Sequence, residues 1–376
     1  MLHDKRSILG RRNRPNYLDL EVSLEKKRCD KYLAHSTNEL NFSKFLLACS
    51  EQTSLIVTQG FEERSLGILE DLAKNNVRIP RVVINRYASK KDDNTNDKYQ
   101  ARFETAAEKV SPGNWRIVEN DLDGHWVHAA LKHIGTDEVI FDITAISNRG
   151  LFSALDSIAN SGRRVYIAYT EANEYWPKEA GWKQLSKELS GHQTLAELID
   201  AKPWLSGHAH RVELIPGHEG YDSVGSGRAL IGFLPFKCAR LAAVLGEEDY
   251  EEFLFIVGKP RLRKNLWRLT ALKKINENLT KSWPIKTMGT FGHRKTLTQL
   301  SNLLFQDNSL LAQYNVHLAI MGSKLQTVGC WILSSLVPSI TIVTSVPSRY
   351  YPEAFSDGVG AKWIFPLLPP KTIDDL

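Results

Sequence analysis

Apolar residues in this chain follow two alternating rhythms. Short uninterrupted runs such as Leu55-Ile56-Val57 and Val139-Ile140-Phe141 have strand length. Between them lie longer stretches whose apolar positions recur at helical spacing, as at Leu66, Ile68, Leu69 and Leu72. Read this way, strands are predicted at 55–57, 81–85, 115–118, 138–143 and 164–169, with helices over 62–75, 100–110, 125–134 and 150–161 between them. The same order recurs further on. Strands are predicted at 229–233, 253–257, 285–288, 316–320 and 340–344, with helices over 236–245, 266–279, 294–305 and 327–336. Strands alternating with helices of this length specify a parallel sheet covered on both faces. The strands are apolar throughout rather than every second residue, as burial on both faces requires. Right-handed crossovers then make each copy Rossmann-like.

The two copies also align residue by residue. A constant shift of 175 positions lays Ser54 to Leu66 on Ala229 to Leu241, and Arg163 to Pro177 on Pro338 to Pro352, without a gap. The expected fold is therefore α/β: two tandem Rossmann-like units with parallel sheets, related by internal pseudo-symmetry. The expected boundaries are a basic segment over 1–50, a first unit over 51–177, a linker or insertion over 178–227 and a second unit over 228–376. The insertion reads as helical over 184–199, with an extra strand and turn over 212–217.

Composition changes this picture little. With 376 residues, 42% hydrophobic and 24% charged, the chain is ordinary globular material for about two domains. Its net charge of +5 is unevenly placed. Lys5, Arg6, Arg11, Arg12, Arg14, Lys26, Lys27 and Arg28 crowd the start, and Arg261, Arg263, Lys264, Arg268, Lys273 and Lys274 form a second cluster. Such clusters are either solvated faces or phosphate-contacting surfaces. The four cysteines, Cys29, Cys49, Cys238 and Cys330, lack ligand spacing. His208, His210 and His218 lack a carboxylate set. No metal and no cofactor is expected. Few cysteines, a polar N-terminus and an uncharged run over 325–348 that is broken by Pro338 suit a cytoplasmic protein without a membrane span.

Ligands of open parallel sheets bind outside the carboxyl ends of the strands. That rule selects Gly60, Phe61 and Glu62 after the first strand, and Asp142, Thr144, Asn148 and Arg149 after the fourth. Glu171 and Tyr175 follow the fifth. In the second copy it selects Gly322, Ser323 and Lys324, and then Tyr350. Sliding by 175 places Lys324 over Arg149, a cation at a helix start in both halves. Such a cation opposes the helix dipole, and a bound anion would offset that cost; the alternative is a side chain reaching for solvent. The aromatics at Tyr175 and Tyr350 either stack on a base or close a core.

The turn Asp142-Ile143-Thr144 followed by Arg149 resembles a signature of CRISPR-associated Rossmann-fold (CARF) sensor domains. In that signature Asp or Asn, any residue, Ser or Thr, three residues and then Arg or Lys follow the fourth strand. Here Asn148 holds the position of the cation and Arg149 comes one residue later. Tandem fusion of two units is similar to the SAVED sensor domains of antiphage systems. The resemblance implies an anionic nucleotide ligand, such as a cyclic oligonucleotide, held between the units by Gly60, Thr144, Asn148, Arg149, Ser323 and Lys324. It also implies an effector protein as partner. Two other classes fit the same chain. One is a nucleoside or nucleotide hydrolase with Asp142 or Glu171 as acid/base. The other is a nucleic-acid-binding subunit of a defence nucleoprotein complex that uses the basic N-terminus.

Overall fold

The structure is a computed structural model, and it describes residues 16–49, 51–87, 95–120, 125–188, 194–306 and 309–375. Lys5, Arg6, Arg11, Arg12 and Arg14 lie outside the described residues. Two helices open the chain, α1 (Asn16–His35) and α2 (Phe42–Ala48). The first unit follows as β1 (Thr53–Gln59), α3 (Gly67–Lys74), β2 (Val82–Tyr87), α4 (Gln100–Val110), β3 (Trp115–Asn120), α5 (His125–His133), β4 (Glu138–Asp142), α6 (Asn148–Ala159) and β5 (Arg164–Thr170). An intervening segment carries β6 (Glu174–Tyr175), α7 (Glu179–Glu188), α8 (Leu195–Ala201) and β7 (Ala209–Leu214). The second unit is β8 (Gly227–Phe233), α9 (Cys238–Leu245), β9 (Tyr250–Lys259), α10 (Trp267–Ile275), α11 (Glu277–Thr280), β10 (Ile285–Gly289), α12 (His293–Phe305), α13 (Leu310–Gln313), β11 (Tyr314–Ala319), α14 (Lys324–Leu336) and β12 (Thr341–Pro347). Two short strands close the chain, β13 (Ser356–Asp357) and β14 (Lys362–Leu367).

Both sheets have six strands, in the orders β14-β5-β4-β1-β2-β3 and β10-β9-β8-β11-β12-β7. Five strands of each are parallel, and the sixth, β14 or β7, is antiparallel to its neighbour. These are two Rossmann-like units. Strand register makes their equivalence explicit: Val57, Asp142 and Ala168 stand abreast in the first sheet, and Gly232, Ala319 and Val343 in the second. The 175-residue shift therefore holds for the first and fifth strands. In between, the copies slip. Ser147 caps α6 by accepting from Gly150 N, and Ser323 caps α14 by accepting from Gln326 N. The structural counterpart of Lys324 is thus Asn148 rather than Arg149, because each directly follows its capping serine.

The sixth strands come from unexpected places. β14 belongs by sequence to the second copy but pairs with β5 of the first sheet, from Lys362↔Thr170 to Leu367↔Val165. Helix α1 lies within the segment read as basic, over residues assigned no element. It buries Cys29 and Tyr32 completely, and the Tyr32 hydroxyl donates to Leu368 O at 3.0 Å. Arg28 donates to Leu336 O, the last residue of α14, and pairs with Asp374. Trp182, Leu185 and Ile199 of the intervening segment pack into the second unit with Phe236, Leu241 and Phe255.

The units meet through α6 and α14. Nearly all of α14 is buried, which explains its apolar residues on every side. Gly329 lets α12 approach, since a Cβ there would stand 2.7 Å from Thr296 Cβ. Across the junction, Asp156 of α6 accepts from Trp331 Nε1 at 2.8 Å and from His218 Nε2 at 3.1 Å, while Ser334 Oγ sits 2.8 Å from His218 Nδ1. One continuous apolar cluster runs from Phe141 and Phe152 to Leu325 and Trp331. With α6 and α14 starting side by side, the carboxyl ends of both sheets open onto a common space.

Candidate functional site

That space is a cavity of about 950 Å³, at the upper end of the roughly 300–1,000 Å³ usual for small-ligand sites. Gly60, Phe61 and Glu62 reach it from the end of β1, and Ser147, Asn148 and Arg149 from the start of α6. From the second unit come Gly322, Ser323, Lys324 and Tyr350. Gly60 is glycine for a reason of space: a Cβ there would lie 2.8 Å from Ala145 Cβ, so the loops after β1 and β4 touch at this point. Gly322 is similarly tight against the Gln326 side chain, which closes the capping box on Ser323 N.

Lys324 and Asn148, equivalent by fold, bond to each other across the pseudo-symmetry axis: Lys324 Nζ donates to Asn148 Oδ1 at 2.9 Å. Asn148 Nδ2 in turn donates to Ile320 O at 3.3 Å. Arg149 also faces the cavity, but its Nε lies 3.1 Å from Glu213 Oε2, and Arg211 pairs with the same carboxylate. Phe61, Tyr350 and Phe355 form an aromatic cluster on one wall, with ring centroids 5.3 to 6.0 Å apart. Tyr350, 43% exposed as a residue, is the most exposed member of this cluster, although burial of its hydroxyl raises its pKa.

Charge in the cavity is one-sided. Glu62 is the sole lining carboxylate among the described residues, and Arg64 holds it with Nε 2.7 Å from Oε2 and a second bond at 3.1 Å. Against it stand Lys237, Arg240, Arg268, Lys324 and Arg349 from the second unit. Their partners are neutral oxygens. Arg240 donates to Ser345 O and Oγ, Lys237 to the carbonyls of Ile199, Asp200 and Lys202, and Arg268 to those of Tyr175, Trp176 and Pro177. Arg349 donates to the Tyr351 hydroxyl. Burial disfavours the charged form, and here it outweighs the nearby carboxylates Glu62, for Lys324, and Asp200, for Lys237. It pushes Lys324 down from 10.5 to about 8 and Arg268 down to about 10. Lys237 and Arg240 move in the same direction for the same reason.

The other residues selected from sequence lie elsewhere. Asp142 is buried beneath the turn. Its Oδ1 accepts from Thr144 N at 2.9 Å and from the Thr144 hydroxyl, while Thr170 N donates to Thr144 Oγ1. Burial raises its carboxyl to about 7. Asp142 and Thr144 thus shape the turn, and neither lines the cavity. Glu171 accepts from Arg261 at 2.7 Å and from Trp363 Nε1 at 3.0 Å, outside the cavity. The Tyr175 hydroxyl meets Ala172 N and the Tyr169 hydroxyl, and its ring lies under Arg64. Sequence reasoning missed Arg240, Tyr87 and the Glu62–Arg64 pair. Arg240 carried one readable signal, a cation in the first turn of the helix that follows β8.

No protein-family model matches the sequence, and no curated protein matches it. Among solved structures, a type III CRISPR defence DNA nuclease activated by cyclic oligoadenylate is similar at 13% identity and a TM-score of 0.42, over 75% of this chain and 64% of that one. This chain therefore spans less than two thirds of that nuclease. CobK precorrin-6A reductase is similar at 11% identity and a TM-score of 0.22, over 80% of this chain and 91% of that one. Overlaps this loose say nothing about the site. No described helix is long and apolar enough to cross a membrane, and no described group of His, Cys, Asp and Glu side chains could hold a metal ion.

Proposed function

We propose that the protein is a nucleotide-binding sensor or adaptor of a prokaryotic antiphage defence system, with an anionic nucleotide held between its two units and an effector protein as the recipient of the signal. One observation carries the ligand assignment: Lys324 and Arg240 face a roomy cavity with only neutral hydrogen-bond partners, and burial depresses both. A cation in that state is stabilised by an incoming anion, and phosphate supplies charge and acceptor oxygens together. The aromatic wall of Phe61 and Tyr350 supports a base. The defence setting rests on the likeness of the Asp142-Ile143-Thr144 turn and the tandem architecture to CARF and SAVED sensors. A sensor fits the cavity better than a hydrolase does, because Asp142 and Glu171 stand outside it and Glu62 is tied to Arg64.

The test is a nucleotide panel of ATP, cyclic di-AMP and cyclic tri- and tetra-adenylate, read by thermal unfolding together with mass spectrometry of the nucleotide afterwards. A ligand at a hundredfold its Kd should stabilise the fold by about 2.7 kcal/mol and be recovered intact. Recovery of a cleaved product would favour the hydrolase. No shift with any nucleotide would remove the reading.

A further inference from the structure

The two walls of the cavity, though built from corresponding elements, differ in charge. On the first unit's side, each cation faces a carboxylate: Arg64 is bound twice to Glu62, and Arg149 meets Glu213. The position equivalent to Lys324 is the neutral Asn148. On the second unit's side, Arg240 and Lys324 hydrogen-bond to neutral oxygens only, and no carboxylate is in direct contact with either. The aromatic cluster is also lopsided, since its most exposed member is Tyr350, while Tyr175 at the matching place is turned inward beneath Arg64.

We propose that the cavity is polar in the sense of direction: it takes an asymmetric nucleotide one way round, with its phosphates on Arg240 and Lys324 and its base against Phe61 and Tyr350. A ligand sharing the pseudo-two-fold axis would place equivalent phosphates on unequal walls. One would meet Arg240 and the Lys324 ammonium, neither paired with a carboxylate, and the other would meet the Glu62–Arg64 pair and, at the place of the ammonium, only the Asn148 amide. A linear nucleotide with a terminal phosphate chain, or a cyclic one with unlike linkages, avoids that mismatch. This inference rests on the nucleotide reading above.

Calorimetry on the full chain separates the two claims. The probes are inorganic tripolyphosphate, ATP and the two-fold symmetric cyclic di-AMP. The variants are Arg240→Ala, Lys324→Ala, Arg149→Ala and Tyr350→Ala, each first checked for an unchanged melting temperature; where one melts early, Arg240→Gln or Lys324→Gln replaces it. Tripolyphosphate should bind and compete with ATP. Arg240→Ala and Lys324→Ala should weaken both by about tenfold or more, as expected for a lost charge-assisted bond. Arg149→Ala should change them by less than about threefold. Tyr350→Ala should weaken ATP and spare tripolyphosphate. Equal losses from Arg149→Ala and Arg240→Ala, or cyclic di-AMP binding more tightly than ATP, would overturn the directional claim and leave nucleotide binding standing. Absence of binding by all three probes would overturn the directional claim, and failure of cyclic tri- and tetra-adenylate as well would remove the nucleotide reading.

Discussion

At the scale of single residues, the cavity is defined by groups held away from their preferred protonation. Lys324, pushed to about 8 from 10.5 by burial, loses its charge within the accessible pH range. A ligand that needs the ammonium form binds most tightly where that form is complete, below about pH 7. As pH rises through 8, affinity should fall, approaching about tenfold per unit if only the charged form binds. Titration of nucleotide affinity from pH 6 to 10 measures this, and Lys324→Arg, which stays charged, should flatten the curve. Asp142 runs the other way. Its folded pKa of about 7 lies above the ordinary 3.8, so its stabilising effect is complete below about 3.8 and lost as pH rises through 7. Above pH 7 the wild type holds a buried carboxylate whose Oδ2 has no hydrogen-bond partner. Asp142→Asn keeps the Oδ1 acceptor for Thr144. It should match the wild type near pH 4 and exceed it by a few kcal/mol at pH 8, read from urea unfolding at both pH values. Wild type more stable than Asp142→Asn at pH 8 would show that the carboxylate has a partner that burial does not reveal.

At the scale of elements, the strands that build each sheet were legible because β-branched apolar runs buried on both faces have few other uses. Thus 55–57 falls inside β1, and 340–344 overlaps β12 at all but its first residue. The elements that escaped depend on contacts from far along the chain. β14 contains Pro366, which lacks a donor, so little local marks Lys362–Leu367 as a strand; an edge position beside β5 is what tolerates that proline. Helix α1 is polar except at positions such as Cys29 and Tyr32, whose burial exists only once α12 and α14 lie beneath them. At the site, Gly60 and Lys324 were readable from the rule of strand carboxyl ends. Glu62 was too, and Arg240 carried the same signal; that Glu62 pairs with Arg64 while Arg240 meets only neutral hydrogen-bond partners was not, since which cation has a carboxylate beside it is decided in three dimensions. The register slip at α6 and α14 has the same origin: sequence sliding aligned Lys324 with Arg149, while capping geometry aligns it with Asn148. Helix packing also gives a direct test. Gly329→Ala places a methyl against Thr296 and His293 O and should separate α12 from α14. The expected cost is about 1–3 kcal/mol, seen as a lowered urea midpoint with an unchanged slope. An unaffected midpoint would mean that the helix pair has slack there.

At the scale of the whole molecule, chain order and spatial order disagree, and this binds the two Rossmann-like units into one body. The N-terminal helix α1 lies on the second unit, where Arg28 meets Leu336 and Asp374. The C-terminal strand β14 completes the first sheet. The loops after the two fifth strands pair with each other through β6 and β13, Tyr175 opposite Ser356 and Glu174 opposite Asp357. Cutting the chain between residues 177 and 178 therefore does not yield two units. Residues 1–177 would lack β14, leaving the backbone of β5 without its partner, and would bare Phe152 and Leu155 of α6, both fully buried in the intact protein. Residues 178–376 would carry β14 with no sheet to join and would expose α14. An unpaired buried-type edge and a bared apolar face each favour aggregation. Expressed singly, both fragments should be insoluble or lack a cooperative melt. Expressed together, they should co-purify and melt as one species, since every lost contact can re-form between chains. Because the cavity lies between the units, the melting temperature of the paired fragments should fall on dilution and rise with nucleotide, whereas neither fragment alone should respond to nucleotide. A soluble 1–177 fragment with a sharp unfolding transition of its own would show that the exchanged strand and helix are accessories, and that the units hold together through the α6–α14 contact alone.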